Sequence, residues 1–208
     1  MKDFFYKAAV FALLILAISL VLAFYINDYR TIYLADGINK MQNDLFDITT
    51  GFELMDDNLD CNIMLDFLNA YGDRVVVLGQ YLSAGAKDKN SDKTYNELSY
   101  RYNYLNLLSW IKHKQIYSKC GMHKDIVLFA YGLDDIDSMY QGEVLDKMVS
   151  DYDIKVFAVA AYLSSLPMDM ILRSVDNNGE YPILLINNKN YVGFKNEPEL
   201  KSILEIKE

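Results

Sequence analysis

The sequence predicts an α/β protein in three parts. These are an N-terminal transmembrane helix over residues 1–27, a helical stalk and hairpin over 28–121, and a C-terminal βαβαββα domain over 122–208 built on a central four-stranded sheet. Three observations carry that prediction: an uncharged run of 19 residues near the start, a proline-free stretch with apolar residues every three or four positions, and a closing segment that alternates β-branched runs with amphipathic ones.

The first element is residues 8–26, "AAVFALLILAISLVLAFYI". At 1.5 Å per residue such a helix is about 28 Å long, close to the hydrocarbon thickness of a bilayer. Every face is apolar, whereas a helix in a soluble core normally keeps a polar stripe. Phe4, Phe5, Tyr6, Phe24 and Tyr25 stand at the two ends, where aromatic rings favour the headgroup region. Lys2 and Lys7 precede the run and no positive excess follows it, so the N-terminus is expected in the cytoplasm and the rest of the chain outside. Membrane lipid is therefore one expected partner, in a single-pass cell-membrane protein. A cleaved secretory signal has the same general pattern, but "VLAFYIND" lacks a small-x-small cleavage site.

The second part contains no proline between residues 27 and 120. Ile32, Leu34, Ile38, Met41, Leu45 and Ile48 predict a stalk helix over 28–56 that continues from the span. Leu59, Ile63, Phe67 and Ala70 predict a second helix over 59–83. Tyr95, Leu98, Tyr102, Leu105 and Leu108 predict a third that begins at Ser91 or Asp92. The charged connector "SAGAKDKNSDKT" makes the latter two antiparallel. Their outer ends carry Cys61 and Cys120, so a disulfide can form there, closing a loop of about 60 residues worth about 4 kcal/mol. Two separate buried thiols, or a redox-active pair, are the alternatives.

The third part reads as strands in "DIVLFAYG", "IKVFAVAAY", "YPILLINN" and "YVGFK", with helices in "DSMYQGEVLDKMVSDY", "SSLPMDMILRSVDNNG" and "NEPELKSILEIKE". The asparagines of "NKN" suit a hairpin turn, and Asn196 with Pro198 marks the last helix start.

This order of elements, with "EYPILLINNKNYVGF" and its leading proline, resembles the thioredoxin-like fold over about 85 residues. The resemblance implies that Pro182 is that family's cis-proline and that the Tyr181 backbone faces the active turn, where an extended peptide can pair. In the family two cysteines occupy the first strand-to-helix turn, with the helix N-terminus stabilising a thiolate. Here the corresponding turn holds Asp134, Asp135, Asp137 and Ser138, and no register puts a cysteine there. The acids and the serine read as helix caps, or as a cation contact.

Other chemistry is poorly supported. Twenty-nine acids against 20 Lys and Arg give a formal charge of -9, which disfavours nucleic acid. The aspartates lack a His or Lys partner for acid–base work and the spacing of a calcium loop. His113 and His123 read as isolated, solvated helix-end histidines, so no metal is expected. No phosphate loop, hydrolase elbow or dinucleotide fingerprint occurs, and no cofactor is expected. The expectation is a membrane-anchored extracytoplasmic binding module for an unidentified protein or peptide, redox-inactive at the usual turn. A thiol-disulfide oxidoreductase using Cys61 and Cys120 is one alternative, and a structural subunit of a membrane complex is the other.

Overall fold

In the computed structural model, residues 2–54, 59–85, 93–122, 125–163, 165–175 and 179–206 are described. Helix α1 runs unbroken over Lys2–Leu54, so the span and the stalk are one element. Its segment Val10–Tyr29 is long and apolar enough to cross a membrane, and no part of it is buried by the rest of the chain. This segment begins and ends slightly later than the apolar run read from the sequence.

Helices α2 (Cys61–Gly85) and α3 (Lys93–Lys119) form the antiparallel hairpin, and a disulfide joins Cys61 to Cys120 with Cα atoms 5.8 Å apart. The predicted start of α3 at Ser91 or Asp92 lies outside the described residues. On α2 the buried stripe is Met64, Leu68, Tyr71, Val75 and Leu78, whereas Ile63 and Ala70 face solvent. The predicted face was thus displaced, because Tyr71 and Met64 turn inward. Tyr71 satisfies its buried hydroxyl by donating to the Leu105 carbonyl at 2.7 Å.

The end of α1 completes a three-helix layer. Ile48 and Phe52 are buried there, and Phe52 meets the rings of Phe67 and Tyr71 edge-on at 5.2 and 5.5 Å. A side chain at Gly51 would collide with the Phe67 ring, so glycine permits this approach. Phe52 lies under Lys112 of α3, and Asp47 pairs with Arg74 of α2 at 3.3 Å. Phe52 meets Phe67 while Asp47 meets Arg74, so α1 is antiparallel to α2 and runs in the same direction as α3, and the N-terminal half of α3 points back toward Val10–Tyr29.

The remaining elements are β1 (Ile126–Tyr131), α4 (Ile136–Asp151), β2 (Lys155–Ala160), α5 (Leu166–Arg173), β3 (Ile183–Ile186), β4 (Lys189–Val192) and α6 (Glu197–Ile203). They build a four-stranded mixed sheet in the order β2-β1-β3-β4. β1 pairs parallel with β2, as the helical crossover α4 allows, and antiparallel with β3. The β3–β4 turn is Asn187-Asn188, both at positive φ (49° and 64°), which is what a two-residue hairpin demands. The sequence reading placed this turn at 188–190; Lys189 and Asn190 belong to β4. The helix predicted over "SSLPMDMILRSVDNNG" is shorter, capped by Ser165 and ended at Ser174.

Period-two alternation sends β1 side chains to two faces. Val127 and Phe129 join Leu145 and Met148 of α4 and Leu200 of α6. Ile126, Leu128 and Ala130 join Leu105, Leu107 and Trp110 of α3, with Met168 of α5. The hairpin and the sheet therefore share one core across residue 121. His113 sits inside that core, contrary to the solvated position expected from the sequence. It lies near Phe157 with ring centroids 4.9 Å apart, and its Nδ1–H donates to the Ser109 carbonyl at 2.8 Å. Burial pushes its pKa down to about 4, aided by Lys155. His123 lies outside the described residues.

Candidate functional site

β1 is buried along nearly its whole length and ends at Tyr131, and from Gly132 the chain must turn sharply into α4. Asp134 takes a positive φ of 51° in that turn. Asp135 is the N-cap of α4, and its Oδ2 accepts from the Ser138 backbone N–H at 2.8 Å. The Ser138 hydroxyl is buried and accepts from the Gly132 N–H at 3.2 Å. Helix-start donors and the end of the strand are thus tied by two short side chains. Asp137 is exposed in the first turn, where the positive end of the helix favours an acid.

Tyr181 comes to this turn from a distant part of the chain. A Cβ added to Gly132 would lie 3.1 Å from Tyr181 Cδ2 and 3.1 Å from Asp135 Cβ, so strand end, helix cap and tyrosine meet at one point. The Tyr181–Pro182 peptide bond is cis, Pro182 is buried, and its carbonyl accepts from the Gly193 N–H at 2.8 Å. The structure therefore brings together Asp135, Ser138 and Tyr181, with Pro182 adjoining.

Cys61 and Cys120 are elsewhere. Cys120 closes α3 shortly before β1 begins, whereas the acidic turn follows the end of β1, about 17 Å along the strand. Among the described residues no cluster of three metal-ligating side chains occurs.

Two features were missed in the sequence. Leu133 in the turn, and Ile136, Met139 and Tyr140 at helical spacing at the start of α4, are all exposed. Their signal was available, since these residues fall outside the core-facing stripe of α4. The second is a cavity of about 500 Å³ between α2, α3 and the ends of β1 and β2, lined by Tyr95, Tyr102, Tyr131 and Tyr162. No sequence pattern announces it, because its residues come from four separate segments. Asn103 also lines it, with Oδ1 accepting from the Ala160 N–H at 2.6 Å and Nδ2 donating to the Ala160 carbonyl at 3.2 Å. Burial raises the Tyr131 pKa, and the nearby hydroxyls of Tyr162, Tyr102 and Tyr95 add to the rise.

Compared with known proteins, the chain matches no family model, no curated protein and no solved structure.

Proposed function

We propose that this is a membrane-anchored, extracytoplasmic protein whose C-terminal thioredoxin-like domain binds an extended protein or peptide segment without thiol chemistry. The observation that carries the reading is the meeting of Tyr181 with Gly132 and Asp135, which sets the lead-in to β3 beside an acidic helix start. An extended segment would lie against that backbone, a mode that needs only unpaired main-chain groups and side-chain pockets. The exposed side chains of Leu133, Ile136, Met139 and Tyr140 would supply apolar contact for it, as exposed patches at binding sites do. The βαβαββα order over a four-stranded sheet supports the fold assignment.

The anchor and the compartment rest on Val10–Tyr29, on the lysines before it, and on a disulfide of the kind that persists in oxidising surroundings. Both cysteines are used in that bond, so the turn has no thiol available to it. Because α1 and α3 are parallel, the turn end of the sheet faces the span. Phe52 is about 35 Å beyond Tyr29, and Tyr102 lies about 15 Å back from Lys112, which leaves the site about 20 Å above the span. A partner close to the membrane fits this height.

The test is peptide binding by the full chain in nanodiscs, using a panel of extended hexapeptides. Tyr181→Ala should weaken binding at least about tenfold, comparable to losing a central interface tyrosine. Asp135→Asn, which keeps the cap but removes the charge, should weaken binding of basic peptides. Binding indifferent to both changes would rule out this site.

A further inference from the structure

Resting on the groove reading above, we infer that the tyrosine-lined cavity beside the acidic turn is a pocket for a basic side chain, lysine or arginine, carried by the bound segment. The cavity of about 500 Å³ is ample for one such side chain. It lies at the end of the sheet that carries the groove, since Tyr131 closes β1 directly before Gly132 and Tyr162 follows the end of β2.

Its chemistry selects for a cation. Tyr131 and Tyr162 stand edge to face with centroids 6.3 Å apart, and Tyr95 and Tyr102 add two more rings. Ring faces attract a cation held within about 6 Å. Burial raises the pKa of Tyr131 and Tyr162 above that of a free phenol, so the wall offers neutral oxygens that accept N–H donors. The Asp134 carboxylate is near enough to Tyr162 to raise its pKa and adds negative charge beside the cavity. Among the described residues that line the cavity there is no lysine, arginine or histidine to occupy it.

The competing ligand classes are disfavoured. An apolar side chain would offer the Tyr131 and Tyr162 phenol oxygens no hydrogen bond. An anion would face Asp134 and a chain of formal charge -9. A lysine or arginine satisfies rings, oxygens and carboxylate together.

The experiment uses the full chain in nanodiscs with 13C-labelled tyrosine rings, assigned through single Tyr→Phe variants. Nα-acetyl-lysine methylamide should shift the resonances of Tyr95, Tyr102, Tyr131 and Tyr162, whereas Nα-acetyl-norleucine methylamide should not. Asp134→Asn should weaken the lysine probe by about fivefold, as loss of one charge-assisted contact would. Equal shifts from the two probes, or none from either, would overturn the inference.

A second arm separates this pocket from the groove, using hexapeptides that differ only in lysine against norleucine. If both bind equally and both weaken on Tyr181→Ala, the groove stands and the cation pocket falls. If the lysine probe shifts the tyrosines while no hexapeptide binds, the pocket stands and the groove falls.

Discussion

Replacing Asn103 by alanine tests whether the helical hairpin is locked to the sheet. The Asn103 side chain is buried on α3, and its amide serves both the N–H and the C=O of Ala160, which is itself fully buried on the edge strand β2. With the amide gone, the Ala160 N–H loses its partner where water cannot replace it, whereas the Ala160 carbonyl keeps the Leu163 N–H at 3.2 Å. An unsatisfied buried group costs about 1–3 kcal/mol, so Asn103→Ala should destabilise the protein by about 1–3 kcal/mol. Asn106→Ala is the internal control, since that amide bonds only the Tyr102 carbonyl within its own helix, and its loss should cost about 1 kcal/mol. The assay is denaturant unfolding of the full chain in detergent, followed through the single tryptophan, Trp110, with hydrogen exchange read at the Ala160 amide. A loss below about 0.5 kcal/mol with Ala160 still protected would refute the reasoning, because it would mean that another group satisfies the strand.

Three other outcomes are expected. His113 is held neutral in the core with its pKa down at about 4, so the stability it supports is complete above pH 6.5 and is lost as pH falls toward 4, about 3 kcal/mol in all. In melts between pH 6.5 and 4.5, His113→Gln should flatten the slope; an unchanged slope would show that this ring does not titrate on unfolding. Cys61→Ser with Cys120→Ser should lower stability by about 4 kcal/mol through the freed loop, and non-reducing peptide mapping of the parent should recover the linked pair; separate thiols would negate it. Asp135→Ala should destabilise by about 1 kcal/mol, whereas Asp135→Asn, which can still cap, should change stability by only a few tenths; equal losses in denaturant titration would argue against capping.

The sequence by itself determined the element order, because hydrophobic period and cap chemistry are local. Nineteen uncharged residues announce a span without reference to any neighbour, and Asn196 with Glu199 forms a capping box within one turn. The Cys61 and Cys120 pairing was legible as well, since two antiparallel helices joined by one connector bring their outer ends together. The hairpin register was harder to read, because "NNKN" offers several asparagines that tolerate positive φ.

Tertiary structure alone decided which side chains meet. Ile63 and Met64 are adjacent apolar residues, and only packing against α1 and α3 chooses the second for burial. His113 is buried because α3 crosses a sheet face that carries Phe157, 44 positions later in the chain. Tyr181 reaches Gly132, and Asn103 reaches Ala160, by folds of the chain that no local period encodes. Convergence of distant segments is a property of the packed whole, and for that reason the four-tyrosine cavity could be found only in three dimensions.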